Sequence, residues 1–223
     1  MKRRGALGDA LVLTALALWA VPFFWQALTS IKPDTALLAV ERLLAAPPTL
    51  VHYRAVLERS VMPAALANSL GVAALTTLLA VALGAPGAYA LARLPVPGKH
   101  ALLLAGFVRE VPMAVEEAAQ IDGAGRLATL GRVVLPLIAP GIASAGLLVF
   151  LMSWNELLFA YTFTASEASR TVPVALALFP GVYEVPWGDI AAASMLASLP
   201  PILIVAGLQR WLVRGLTAGA LRD

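Results

Sequence analysis

The chain has 223 residues, of which 60% are hydrophobic and only 13% charged, and its mean hydropathy is +0.84. A soluble domain carries about 25% charged residues and a chain of this size cannot enclose so much apolar surface by itself, so the composition indicates a membrane protein. The absence of Cys and the presence of only two His argue against a metal site, and the net charge of +3 comes from scattered residues, which argues against a nucleic-acid surface.

Four apolar segments are long enough to cross a hydrocarbon core, which takes about 20 residues as a helix. A further segment, residues 101–108, would rise only about 12 Å and cannot cross alone. The spans predicted from these segments are residues 10–31, 64–94, 138–163 and 190–212. They predict an all-α, multi-pass protein that forms one transmembrane domain over residues 1–223.

The distribution of Lys and Arg predicts the orientation, because cytoplasmic segments hold an excess of both. With the N-terminus inside, 11 of the 16 basic residues lie in the cytoplasm, so both termini are expected there. The first apolar run, about 22 residues long, exceeds the ~7 to 15 residues of a cleaved signal peptide. We therefore expect it to remain as a membrane anchor.

The stretch over residues 112–136 is predicted to form a helix, a glycine turn and a second helix at the membrane surface. Pro112 is typical of a helix start, and Gly123 and Gly125 are typical of a helix stop. The apolar residues after Arg126 recur at helical spacing as far as Pro136. An exposed element of this kind suits docking to a soluble partner.

Four residues are candidates for lining a path through the membrane: Asn68, Trp154, Asn155 and Glu156. Glu156 is expected inside the third span, where an acid is costly and therefore a functional candidate. Each has a structural alternative. Glu156 and Asn155 suit pairing near the interface, Trp154 suits an interface anchor, and Asn68 suits a hydrogen bond between helices.

One motif in the loop resembles a known family. Glu117, Ala118 and Ala119, followed by Gly123 and later by Leu135 and Pro136, read as the EAA signature of ABC importer permeases. Further segments are similar to sugar permeases of the kind that forms the second membrane subunit of the maltose transporter. These are residues 68–70, 153–156, 171–174 and 209–220.

The resemblance implies the fold of a type I importer permease in a bacterial inner membrane. It implies that the loop couples to an ATPase subunit through Glu116, Glu117, Ala118, Ala119, Asp122, Gly123, Leu135 and Pro136. It also implies a homologous permease, two ATPase subunits and an extracytoplasmic binding protein as partners, with a sugar as substrate. ATP would bind to the ATPase subunits, since this chain has no phosphate-binding loop motif.

The chain departs from that family in the number of its spans. Relatives have six core spans, whereas here residues 99–108 lead directly into Arg109 and the loop, so two spans, about 50 residues at ~20 per span with their loop, are expected to be missing. The prediction is a permease subunit of an ATP-driven sugar importer. The alternative is an internally shortened, transport-inactive remnant that still docks an ATPase. A third possibility, an intramembrane enzyme, lacks a nucleophile, metal ligands or paired acids at membrane depth.

Overall fold

A computed structural model of the protein describes residues 6–37, 40–93, 108–109, 111–179 and 185–220, and helices form all the regular secondary structure in these ranges. The helices are α1 (Ala6–Ser30), α2 (Val40–Ala45), α3 (Val51–Arg59), α4 (Met62–Arg93), α5 (Met113–Ile121), α6 (Arg126–Thr129), α7 (Leu135–Leu137), α8 (Ala139–Trp154), α9 (Leu158–Phe163), α10 (Val172–Ala177) and α11 (Trp187–Ala220). A π-helical turn, Leu130–Val134, joins α6 to α7.

Three of these helices are long and apolar enough to span a membrane: Gly8–Ser30, Met62–Arg93 and Trp187–Trp211. They coincide with the first, second and fourth predicted spans. The basic start of the chain, the last residue of the second predicted span and residues 99–107 lie outside the described residues.

The third span, predicted as one helix over 138–163, is interrupted in the structure. Helix α8 ends at Trp154, where the side chain of Asn155 donates a hydrogen bond of 2.8 Å to the carbonyl of Leu151. Such a side-chain bond competes with the backbone ladder and favours a helix end. Sixteen residues rise about 24 Å, which is short of a ~30 Å core. A span of sufficient length exists here only as the pair Arg126–Leu137 and Ala139–Trp154, which is bent by 80°.

The described residues fall into two compact units. The first comprises Met1–Asn68 and Leu157–Leu199, and the second comprises Ser69–Glu156 and Pro200–Asp223. The chain passes between the units at three points: inside α4, in the break between α8 and α9, and inside α11.

The core of the second unit is formed by the end of α4, the residues just before α5 and the π-helical turn. Its buried members are Ala88, Val108, Val111, Leu130, Val134 and Ile138. Tyr89 and Leu135 are half-buried against it. The loop region thus has an apolar core of its own, which holds α5 to α7 beside the C-terminal end of α4.

Candidate functional site

Helix α5 is the centre of the candidate site, and its C-terminal end is set by a glycine. Gly123 has φ +87°, a conformation that glycine adopts without the Cβ penalty of other residues. The N–H of Ala124 donates to the carbonyl of Ala119 at 2.9 Å, and the N–H of Gly123 donates to that of Gln120 at 3.0 Å. This pair of bonds is the Schellman arrangement, which satisfies the last carbonyls of a helix. The glycine therefore fixes the angle at which the chain leaves α5.

Glu116, one of the residues predicted to couple the loop to an ATPase subunit, lies on the inner face of α5. It is only 4% exposed. Its Oε2 accepts a hydrogen bond from the hydroxyl of Tyr89 at 2.9 Å, and its Oε1 accepts one from Nε of Arg93 at 2.8 Å. The carboxylate is therefore buried and not at the surface. Glu116 holds the inner face of α5 against the end of α4.

The outer face of α5 and the following turn is exposed and carries two large aliphatic side chains. Ile121 is 85% exposed and Leu127 is 83% exposed, one on each side of Gly123. Of the other predicted contact residues, Glu117, Ala118, Asp122, Gly123 and Pro136 are exposed, and Ala119 and Leu135 are half-buried. Aliphatic side chains exposed beside acidic groups form a surface suited to a protein partner.

A groove of about 460 Å³ runs between the C-terminal part of α4 and the loop helices. Its lining includes Glu116 with its partners Tyr89 and Arg93, and also the exposed Glu117 and Leu127. The groove therefore borders both the buried carboxylate and the exposed face. Because both belong to the second unit, the outer face of α5 and the end of α4 form one local structure.

The predicted path residue Asn68 acts as a structural link within the first unit. Its Nδ2 donates hydrogen bonds to the carbonyl of Ala168 at 2.8 Å and to that of Arg170 at 2.9 Å. Both donor positions of the amide are therefore used to hold the segment before α10. This arrangement favours the hydrogen-bonding alternative for Asn68 over a contact with a solute.

The other three path candidates lie together at the end of α8, in the second unit. Trp154 is 4% exposed and stacks on Phe150, with ring centroids 5.7 Å apart, so neither its edge nor its faces are open to a solute. Asn155 is exposed, and its amide bonds its own helix. Glu156 is half-buried in the break between α8 and α9, which corrects its predicted place inside a helical span.

A cluster that sequence analysis missed lies in the first unit, around His52. The ring is 2% exposed; Nδ1 lies 2.6 Å from Oδ1 of Asp189, and Nε2 donates to the carbonyl of Lys32 at 2.8 Å. The ammonium group of Lys32 in turn bonds the carbonyl of Ala46. No spacing signal in the sequence connects these residues, because His52 and Asp189 are 137 positions apart. Among the described residues no group of His, Asp and Glu is arranged to hold a metal ion.

Comparison with known proteins shows the family to which the chain belongs. A family model described as binding-protein-dependent transport system inner membrane component matches residues 1–218. The chain belongs to this family. It is 34% identical to the trehalose transport system permease protein SugB of Mycobacterium tuberculosis, over 91% of this chain and 92% of that protein. It is 31% identical to the trehalose/maltose transport system permease protein MalG of Thermococcus litoralis, over 100% and 98% respectively.

A solved structure supports the fold of this family member. The chain is similar, with a TM-score of 0.78 and 20% identity, to a chain in the crystal structure of a bacterial ABC transporter involved in the import of the acidic polysaccharide alginate. The similarity covers 92% of this chain and 95% of that one. The all-α, multi-pass permease fold predicted from the sequence is thereby confirmed. The description of the matching family supports the predicted place in the inner membrane.

The comparison also bears on the missing spans. The alignment with the Thermococcus protein extends over 274 positions and includes all 223 residues of this chain, so 274 less 223, or 51, positions are gaps within it. Two spans of ~20 residues with their connections account for a gap of this size. The permease described here is therefore shorter than this relative at internal positions, as the sequence predicted.

Proposed function

We propose that this protein is a membrane-spanning subunit of an ATP-driven importer and that the outer face of α5 docks an ATPase subunit. The observation that carries the proposal is the exposure of Ile121 and Leu127 on either side of the Gly123 turn. Large aliphatic side chains at a surface lose contact with water when a partner covers them, and this loss favours association. The match of Glu117, Ala118, Ala119 and Gly123 to the EAA signature supports the same assignment.

The substrate class proposed is a sugar or oligosaccharide. Two relatives at 31% and 34% identity are named as permeases for trehalose or for trehalose and maltose. The remaining subunits would be a homologous permease, two ATPases that bind ATP, and an extracytoplasmic binding protein. The excess of Lys and Arg on one side supports an orientation with both termini and α5 in the cytoplasm.

Docking is tested by co-purification of the full-length chain with the ATPase subunit from the same genome. Ile121→Ser and Leu127→Ser should lower the recovered ATPase by about tenfold each, because a buried aliphatic side chain contributes about 1.5 to 3 kcal/mol to an interface. Leu44→Ser is the matched control, since Leu44 is 65% exposed but lies in α2. Equal recovery from all three variants would refute docking through α5.

The second candidate function, an assembly partner that no longer transports, is favoured by the 51 gap positions. Sugar-stimulated ATP hydrolysis by the reconstituted complex separates the two candidates. Stimulation means that the shortened chain still completes a path with its partner permease. A complex that assembles and hydrolyses ATP without stimulation supports the inactive form.

A further inference from the structure

We propose that the Arg93–Glu116 pair is the side-chain connection that makes α5 move with the end of α4, independently of the chain that joins the two helices. The inference rests on the proposed docking function and deepens it. It names the residues that transmit movement of the docked surface to a membrane helix. Arg93 and Glu116 are positioning residues in this scheme, and neither contacts the partner.

The first support is the way in which the pair is enclosed. The side chain of Arg93 is 15% exposed and that of Glu116 is 5% exposed. An ion pair at the surface contributes little, whereas a buried pair is sensitive to the loss of either partner, since the remaining charge is left without compensation. Both oxygens of Glu116 have partners, one from Arg93 and one from Tyr89. Each oxygen of the Glu116 carboxylate therefore has a defined donor.

The second support is that Arg93 also holds the backbone leading into α5. Its Nη2 donates to the carbonyl of Val108 at 3.2 Å and to that of Val111 at 2.8 Å. Val111 lies two residues before the first residue of α5, and Glu116 lies in its first turn. One guanidinium group thus fixes both the approach to α5 and its N-terminal turn.

The third support is the distribution of contacts along α5. The N-terminal half is fixed through Glu116 by Arg93, and the residues just before the helix, Val108 and Val111, lie in the apolar core. The C-terminal half presents Ile121 and the Gly123 turn to the surface. A helix held at one end and docked at the other transmits a displacement of the docked end to whatever holds it, which here is the last residue of α4.

The chemistry of the pair explains why arginine is required. A guanidinium group is a planar set of donors and can serve a carboxylate and two carbonyls at once. Lysine is a point charge on a flexible stem, so Arg93→Lys should keep the ion pair and lose the backbone bonds. The charge-reversed pair, Arg93→Glu with Glu116→Arg, restores the attraction but offers no donor from position 93 to the carbonyls of Val108 and Val111.

The direct test measures the distance between α4 and α5 in the purified full-length chain, without any partner. The chain has no Cys, so spin labels attach only at introduced positions. Gly87 in α4 and Gln120 in α5 are both exposed, so the double variant Gly87→Cys with Gln120→Cys carries one label on each helix. We expect a narrow distance distribution in this background and a distribution at least twice as broad after Arg93→Gln or Glu116→Gln. The charge-reversed pair should narrow it in part.

Arg54→Gln is the matched control. It removes an exposed ion pair with Glu58 within α3, where the side chains are 77% and 53% exposed, and it should leave the distribution unchanged. A distribution that stays narrow after both Arg93→Gln and Glu116→Gln overturns the inference. So does equal broadening by Arg54→Gln, because the effect would then not be specific to the buried pair.

The second arm uses the reconstituted complex. Arg93→Gln should still recover the ATPase, since the outer face of α5 is intact, while sugar-stimulated hydrolysis falls by about tenfold, within the usual range of coupling between sites. Undiminished stimulation overturns the inference. Failure of the unmodified chain to recover any ATPase refutes the proposed docking instead, and the spin-label arm still decides whether the pair joins α4 to α5.

Discussion

Nδ1 of His52 lies 2.6 Å from Oδ1 of Asp189, although the two residues are 137 positions apart in the chain. Nε2 of the same ring donates a hydrogen bond to the carbonyl of Lys32, since a carbonyl only accepts. This single ring ties the segment after α1, helix α3 and the start of α11 together.

Replacement of the ring should destabilise the first unit. His52→Ala leaves the carboxylate of Asp189 without its partner, and the loss of one member of a buried pair costs about 3 to 5 kcal/mol. Asp189 is 28% exposed, so we expect a smaller loss of about 2 kcal/mol, measured by thermal unfolding in detergent. Arg54→Gln, at an exposed pair, should change the unfolding temperature little. An unchanged temperature for His52→Ala would contradict the role given to this ring.

Gly188 is required by the same ring. A Cβ at this position would overlap the imidazole of His52, so Gly188→Ala should displace the ring and lower the free energy of unfolding by about 1 to 3 kcal/mol. Gly207→Ala, in the same helix, meets open space and should be neutral or stabilising by up to about 1 kcal/mol. Thermal unfolding of the two variants side by side checks the prediction, which fails if both behave alike.

The turn after α5 should depend on its glycine. At φ +87° an alanine is strained by about 1 kcal/mol or more, so Gly123→Ala should loosen the Schellman turn. Hydrogen exchange of the amides of Gly123 and Ala124 should quicken by about fivefold. Gly125→Ala is the control, since Gly125 has φ −68° and open space around it. Comparable exchange in both variants would show that the conformation of Gly123 is unimportant.

The segment before α10 should be released when Asn68 loses its amide. Asn68→Leu removes two hydrogen bonds, each contributing about 1 kcal/mol, and trypsin should cleave after Arg170 about tenfold faster. Asn155→Leu is the matched control, because the amide of Asn155 bonds the carbonyl of Leu151 in its own helix. If Asn68 instead binds the solute, the cleavage rate will stay constant while the KM for sugar uptake rises.

The long helices and the glycine turn could be predicted because their causes are local. Met62–Arg93 and Trp187–Ala220 each contain a long apolar stretch that predicts a helix, and the turn follows from Gly123. The break at Asn155 was missed, since apolar length alone gives no sign of a side chain that bonds its own helix.

The roles of adjacent residues were harder to predict. Glu116 and Glu117 look alike in sequence, and only the position of Arg93 on another helix decides that the first faces inward and the second outward. Trp154 suits a solute contact or an interface anchor in the sequence, whereas in the structure it is 4% exposed and stacks on Phe150 one turn earlier in α8. The contact between Arg93 and Glu116 is tertiary, so one sequence alone does not contain it.

Helix α1 is joined to the first unit chiefly by its C-terminal end. None of its apolar window is buried, whereas Ser30, its last residue, is fully buried and its hydroxyl lies 2.9 Å from that of Tyr53. Surrounding lipid chains or a neighbouring subunit must therefore cover the rest of the helix, and the contacts with such a neighbour, not those within this chain, set its tilt. Replacing α1 by another apolar helix of equal length that ends in the same serine would keep the architecture. It would change only the lipid or protein surfaces that the helix contacts in the bilayer.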